Sequence, residues 1–519
     1  MLNSETLRKD HPKFIFENYN WELIESGSDT DSTTGATTGT TTSSDLKLTF
    51  KYKIEPDISF SPTLIIKNVN QTMISSLGSK KINNYVFNIG LAEMLSYWKS
   101  TTSPVIEIKA GNLSDEQIIW WKKLLIKGMG EFFFVNNIDF TQEDFVKISC
   151  TFSDEGSDLL NESTADKPLV STLEPQSTDV ESLAIPLEPF TSTLTELQAT
   201  KEKILIPVGG GKDSAVTLEI LGNHNDDVGT FTINPTPAAI DLIRAKNINN
   251  NINVERNLDP KIIELNNQGY LNGHVPISAL FAFTSVFSAD LFGYTHIAIS
   301  NERSSNEGNV EFLGQQINHQ YSKTFEFEED FQNYIKKYFD DQAPFYFSFL
   351  RPLFELQIAQ IFSGKTESTS EMEKFHPIFR SCNRGQKTNS WCGECSKCLF
   401  AYIILFPFLS DEKIISYFDK NMFEDEKLWP IAQELIGIGA KKPLDCVGTH
   451  EESIVAFYLS IKKYQKSGQK LPLLLEIINN EFMKNQNDLE NRTNLILNAW
   501  NDENSVPVAI AEILKEYVK

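Results

Sequence analysis

The stretch Lys203–Leu221, KILIPVGGGKDSAVTLEIL, decides the fold. Ile204 to Val208 is an apolar, β-branched run with the character of a buried parallel strand. Gly209, Gly210 and Gly211 follow, then Lys212, Asp213 and Ser214, and Ala215 to Leu221 has helical spacing. Strand, glycine turn and helix aim free backbone N–H groups and a positive dipole end at an anion. Glycine suits such a turn because a Cβ would keep the backbone away from a phosphate. A Walker loop is excluded, because Asp213 stands where its Ser/Thr would be. A dinucleotide fingerprint is excluded too, since no glycine lies three residues beyond Gly211.

The same run resembles the pyrophosphate loop, Ser-Gly-Gly-x-Asp-Ser, of the ATP pyrophosphatases, with Gly209 in place of the first serine. That resemblance implies cleavage of ATP between its α and β phosphates and adenylation of a substrate. Further strands at Val228–Ile233 and Thr295–Ser300 alternate with helices at Pro237–Lys246 and Val275–Phe292. This alternation predicts an α/β fold with a doubly wound parallel sheet. The resemblance makes it one of adenine-nucleotide α-hydrolase type.

Upstream, strands are expected within residues 12–25, at Leu46–Tyr52 and Thr63–Ile66, and at the aromatic run Glu131–Val135. Helices are expected at Asn83–Trp98 and Ser114–Met129. These compose an N-terminal α+β domain, residues 1–152, interrupted by a Ser/Thr-rich insertion at 26–44. Residues 153–200 read as an acidic linker, 201–381 as the nucleotide-binding domain, and 382–519 as a cysteine cluster with a helical C-terminal region. Helices there are expected near Phe400–Phe408, Ser453–Tyr464, Leu471–Phe482 and Val506–Val518.

The 519 residues carry a net charge of −23, which argues against non-specific nucleic-acid binding. Val275–Phe292 is near membrane-spanning length, but its serines, threonine and Asp290 suit a buried core helix better, so no membrane insertion is expected. The opening residues MLNSETLRKDHPKF show no signal-peptide pattern, and the expected compartment is the cytoplasm.

In open α/β sheets ligands bind beyond the carboxyl ends of the strands. There the strand Thr295–Ser300 runs into Asn301-Glu302-Arg303-Ser304-Ser305-Asn306. Glu302 could hold Mg²⁺ or orient Arg303, and Arg303 could pair with a carboxylate or phosphate; a solvated loop is the alternative. Asn318, His319 and Lys323 cluster downstream as further candidates. Cys382, Cys392, Cys395 and Cys398 have the spacing of a closed four-thiolate metal site, zinc by default and an Fe–S cluster as the lesser option. Cys446 stands apart, as packing or as an acid/base thiol.

In this order, VGGGKDS, SNERSSNEGN, NHQYSK, WCGECSKC and KPLDCVGT resemble the UDP-N-acetylmuramoyl-L-alanyl-L-glutamate epimerases over roughly residues 200–455. The resemblance implies ATP-dependent inversion of the terminal L-glutamate of UDP-MurNAc-L-Ala-L-Glu through an acyl-adenylate, releasing AMP and pyrophosphate. It implies ATP, Mg²⁺ and structural Zn²⁺, and a UDP-muramoyl dipeptide as small-molecule partner. Gly209–Ser214 would then hold the pyrophosphate. Asn301, Arg303 and Asn318 would contact substrate, and Glu302, His319, Lys323 and Cys446 are the catalytic candidates. Ser381-Cys382 and Cys392-Gly393-Glu394-Cys395 are also similar to 7-cyano-7-deazaguanine synthases, and a non-catalytic nucleotide-binding scaffold is the alternative of another class.

Overall fold

The computed structural model describes residues 2–26, 44–151, 202–339, 341–364 and 366–518. Residues 27–43 of the Ser/Thr-rich insertion and the whole acidic segment 153–200 lie outside them.

Thirteen strands are described: β1 Lys13–Glu25, β2 Ser44–Ile54, β3 Ile58–Phe60, β4 Thr63–Ile66, β5 Val105–Ile108, β6 Lys147–Cys150, β7 Ile204–Pro207, β8 Val228–Ile233, β9 Asn251–Asn257, β10 His296–Ile299, β11 Val310–Phe312, β12 Gln315–Ile317 and β13 Phe345–Ser348. Eleven of them form one sheet in the order β13-β10-β7-β8-β9-β4-β2-β1-β5-β6, with β3 beside β2. Strands β9, β8, β7, β10 and β13 are all parallel. In their own chain order they run 3-2-1-4-5, so the order reverses between β7 and β10. That reversal opens a crevice at the strands' carboxyl ends. Both polar loops of interest, after β7 and after β10, leave the sheet there.

The two halves of the chain share this sheet. β4 pairs antiparallel with β9, Thr63 opposite Asn257 and Ile66 opposite Val254.

Side chains alternate between two cores, as the period of a strand requires. Leu205, Ile297 and Tyr346 point into one, with the helices Ser79–Glu93, Ile277–Phe292 and Phe325–Tyr338. Ile204, Ile206, Ala298 and Phe347 point into the other, with Lys212–His224, Glu355–Phe362, Ser396–Leu405 and His450–Ser467. Helices on both faces make the parallel part doubly covered, which is why its strands are apolar on both sides.

The expected helices at Pro237–Lys246 and Val275–Phe292 are present, the second beginning at Ile277. One expectation is corrected. The aromatic run Glu131–Val135 belongs to a short helix, Gly130–Val135, and not to a strand. Phe132 and Phe133 point into the core while Phe134 and Val135 turn outward, a pairing that helical rotation produces and strand alternation does not.

Candidate active site

The loop after β7 takes the shape its glycines permit. Gly210 has φ +96°, and a Cβ there would lie 2.9 Å from the backbone N of Ala239. Gly211 caps the helix Lys212–His224 without any side-chain cap, so the first-turn N–H groups have no capping acceptor. A Cβ on Gly209 would meet nothing within 4 Å. Crowding therefore does not explain the glycine at that position. The loop is held from the far side, where Arg380 N donates to Gly210 O at 2.8 Å and Ser381 packs on Gly211.

Lys212 turns back into the protein and is buried. Its ammonium donates to Asp213 and to the buried Glu355. Burial works against the charge of Lys212, but Asp213 and Glu355 overcome it and raise its pKa. One ammonium cannot neutralise two carboxylates. Glu355 is accordingly held well above the usual carboxylate range, by burial first and by Asp213 second. Glu302, also buried, is pushed up to about 6 by burial and by Asp213, against the pull of Lys323 and Lys212.

Lys323 joins this cluster to a second one. Its Nζ lies 3.2 Å from Cys446 Sγ, and its pKa is raised by Cys446 first, with Glu302 and Asp213 adding to this against the effect of burial. His319 Nε2 also lies close to the thiol, 3.6 Å from Sγ. Burial alone would push the Cys446 thiol up; Lys323 and Lys397 outweigh it and hold it below its ordinary value. His319 is pushed down to about 3 by burial and by Lys323, so its imidazole is neutral at pH 7. Asn309 Oδ1 sits 3.1 Å from His319 Nδ1 and also accepts from His319 N at 3.0 Å. A proton on Nδ1 satisfies that contact and leaves Nε2 as a lone pair facing the thiol.

Two buried groups fix the loops that carry these side chains. Arg351 donates to Glu302 O at 2.7 Å, Ser305 Oγ at 2.7 Å and Lys323 O at 2.6 Å, and pairs with Glu328. It thereby locks the Glu302 and Lys323 backbones to each other. Glu452 accepts from Ser304 Oγ, Leu356 N and Thr449 N, tying three segments together at the start of the helix His450–Ser467.

The four expected cysteines converge. Their ligand atoms lie within 4.8 Å of one another, with Sγ–Sγ distances of 3.8 Å for Cys382–Cys395, 3.6 Å for Cys392–Cys398 and 3.5 Å for Cys395–Cys398. A tetrahedral ion with metal–sulfur bonds of about 2.3 Å has sulfur–sulfur edges of about 3.8 Å, so the group can hold a single metal ion. In a [4Fe–4S] cluster each thiolate binds a different iron and in a [2Fe–2S] cluster the four are split between two irons, so either would hold some of the sulfurs farther apart. The cysteine knuckle touches both halves of the site: Arg380 and Ser381 brace the glycine loop, and Ser396 donates to Asp445, next to Cys446.

The structure thus brings Gly209–Ser214, Glu302, His319, Lys323 and Cys446 into one neighbourhood. Three predicted side chains bond within the protein. Asn301 donates to Ser348 Oγ, Asn318 donates to Ser305 O, and Ser214 Oγ donates to Gly211 O. Arg303 lies over the Phe354 ring, 4.5 Å from its centroid. Glu355, Arg351, Asn309, Lys397 and Glu452 were missed as site residues; Asn309 and Lys397 lie inside the quoted runs SNERSSNEGN and WCGECSKC, Glu452 completes a Thr449-x-x-Glu capping box, and Glu355 and Arg351 stand in no pattern that marks them. Beside Asn309 a cavity of about 460 Å³ opens, lined in part by Gln316, Lys441, Lys442 and His450.

Fold and site define an α/β protein with a glycine loop opening a helix at a sheet switch point and a cation-flanked thiol beside it. The chain belongs to the MurL family: the MurL N-terminal domain model matches residues 36–172 and 178–349, and the MurL C-terminal domain model residues 378–492. It is 33% identical over 278 residues to a UDP-N-acetyl-alpha-D-muramoyl-L-alanyl-L-glutamate epimerase of Micromonospora sp., covering 53% of this chain and 60% of that one. Proteins of the same name from Salinispora tropica and Xanthomonas oryzae pv. oryzae are 35% and 33% identical, with 53% and 49% of this chain matched to 58% and 55% of theirs. The chain thus spans somewhat over half the length of these relatives. No solved structure matches it.

Proposed function

We propose that the protein is an ATP-dependent epimerase that inverts the terminal L-glutamate of UDP-MurNAc-L-Ala-L-Glu, releasing AMP and pyrophosphate, in a fold of adenine-nucleotide α-hydrolase type. The observation that carries this reading is the position of Lys323 and Glu302, each coupled electrostatically both to Asp213 at the glycine loop and to Cys446. Nucleotide activation and proton transfer are then one site.

The chemistry explains why the two belong together. An α-proton beside a carboxylate is very weakly acidic, because its loss would put a second negative charge on an anion. Attack of a carboxylate oxygen on the α-phosphorus of ATP breaks the bond to the β-phosphate and yields a neutral acyl group. The α-proton then becomes acidic enough to move. Gly209–Ser214 bind the departing pyrophosphate through the open N–H groups of the helix start. Lys323 neutralises the charge that develops on the acyl oxygen, and Arg303 pairs with the substrate's other carboxylate. Cys446, held as thiolate by Lys323 and facing the free Nε2 of His319, transfers a proton at the α-carbon. The cavity beside Asn309 receives more of the muramoyl dipeptide.

Mg²⁺, when bound, neutralises phosphate charge. Among the described residues only the cysteines bring three or more ligating atoms together, so Mg²⁺ would be held mainly by the phosphates, with Asp213 and Glu302 as the carboxylates at hand. The cysteine group suits structural Zn²⁺, since a closed four-thiolate shell leaves no position for substrate. Among the described residues no helix is long and apolar enough to cross a membrane, and the cytoplasm is the proposed compartment.

The test is incubation with ATP, Mg²⁺ and the UDP-muramoyl dipeptide in D₂O. AMP and deuterium at the glutamate α-carbon are expected, both only when ATP is present. Label incorporated without ATP would refute adenylation, and ATP binding without AMP release would leave the scaffold alternative standing.

A further inference from the structure

Inversion needs a proton removed from one face of the α-carbon and another delivered to the opposite face. Cys446 can serve one face only. A second acid/base device lies beside His319, contributed by the N-terminal half of the chain and by the loop that precedes the helix Ile277–Phe292.

The His274 and His319 rings are T-shaped, with centroids 6.1 Å apart. Glu131 Oε2 lies 3.4 Å from His274 Nδ1. His274 Nε2 has no hydrogen-bond partner among the described residues, and its side chain is 27% exposed, while that of Glu131 is 18% exposed. A carboxyl group beside Nδ1 favours the tautomer with its proton on that nitrogen and leaves Nε2 free to take a proton, as in a carboxylate-oriented imidazole base.

The pair is held by close packing that small residues allow. A Cβ on Gly128 would fall 2.8 Å from Pro276, and one on Gly130 would fall 3.2 Å from Ile317, two residues before His319. Lys99 Nζ donates to Gly273 O at 3.0 Å, and Asn136 Nδ2 to Asn272 O at 3.2 Å. The helix bearing Glu131 is therefore seated against both histidine segments. Burial pushes Glu131 up to about 7, with Asp445 and Cys446 adding to it. Burial pushes His274 down to about 4, with His319, Lys323 and Lys99 adding, so its imidazole is neutral and able to accept a proton at pH 7.

Resting on the epimerase reading of the site, we propose that His274, oriented by Glu131, is the second proton-transfer group, acting on the face of the glutamate α-carbon turned away from Cys446. In one direction Nε2 takes the α-proton of the acyl-adenylate. The C–H electron pair enters a C=C bond while the carbonyl π pair moves to oxygen. Cys446, a thiolate at rest, first draws a proton from solvent; return of that pair to the α-carbon takes this proton from the other face and leaves the thiolate again. Water then adds to the acyl carbon, its bond to the phosphate oxygen breaks and AMP departs. Solvent exchange resets imidazolium and thiolate. In the reverse direction the thiolate takes the α-proton, and His274, neutral at rest, first draws a proton from solvent and delivers it to the opposite face.

The experiment uses the full-length, metal-loaded protein with Mg²⁺ and ATP in D₂O, starting separately from the L-Glu and the D-Glu dipeptide. For His274→Gln, inversion should fall by at least about 100-fold. AMP release should persist, because adenylation and hydrolysis do not use the imidazole. Deuterium should enter only one recovered epimer. Cys446→Ser should label only the other. Glu131→Gln, acting through the ring, should weaken exchange at the same epimer as His274→Gln, with AMP release unchanged. Loss of label from the same epimer in the His274 and Cys446 variants would overturn the assignment. So would full inversion by His274→Gln, or loss of its AMP release together with all exchange. Should the unmodified protein make no AMP from this substrate, the epimerase reading fails instead.

Discussion

Replacing Lys323 by Met tests the electrostatic core of the site. Two unit charges 3.2 Å apart, the Lys323–Cys446 separation, attract by about 1.3 kcal/mol in bulk water and about 5 kcal/mol at an effective dielectric of about 20. Both side chains are half-buried. An intermediate figure of about 2.5 kcal/mol is appropriate, which corresponds to about 2 pKa units. The sign is fixed by the geometry: without the ammonium, burial dominates and the thiol moves up. Alkylation of Cys446 by iodoacetamide, followed by peptide mass spectrometry across pH, reads the thiolate directly. The inflection should rise by about 2 units in Lys323→Met, slowing the reaction at pH 7 by up to about 100-fold. Lys323→Arg should largely restore it. An inflection within about half a unit of the unmodified protein would refute the claim that Lys323 holds the thiolate.

Ala at Gly210 meets the Ala239 backbone at 2.9 Å with φ at +96°, a strain of about 1–3 kcal/mol; calorimetry should show ATP affinity reduced about tenfold or more, with the circular dichroism unchanged. The cysteine group should hold one metal ion per chain by elemental analysis. Cys395→Ser should lose it, lower the melting temperature and weaken ATP binding, since Arg380 and Ser381 brace the glycine loop from that knuckle. Glu302 binds its proton more tightly folded, at about 6, than at the usual 4.5. The fold therefore loses about 2 kcal/mol as pH rises from about 4.5 to 6. Glu302→Gln removes that loss, so it should melt above the unmodified protein at pH 7.5, by a margin that shrinks toward pH 4.5.

Much of the parallel sheet was legible, because strand, glycine turn and helix at 203–221 each carry their own local signal. The cysteine spacing was equally plain, since convergence on one ion constrains sequence separation. β9 was not seen: NINVERN is rich in asparagine, a poor strand former, and is held by neighbours on both sides. GEFFFV misled because aromatic residues favour strands locally, while six residues show too little period for a helix to announce itself. Within the site, His319, Lys323 and Cys446 sat in unusual polar runs, but the same reasoning over-read Asn301 and Asn318, which the structure uses to shape loops. Glu131, His274 and Glu355 carry no local mark; only tertiary packing brings them near the others.

The β4–β9 pairing has a consequence for dissecting the protein. A fragment starting at residue 202 would lay bare the long polar–apolar edge of β9, with unpaired N–H and C=O groups along it. Such a piece invites intermolecular strand addition and should precipitate instead of retaining partial function. Supplying residues 2–151 in trans is the remedy this seam suggests, for the missing half restores the neighbour that β9 requires.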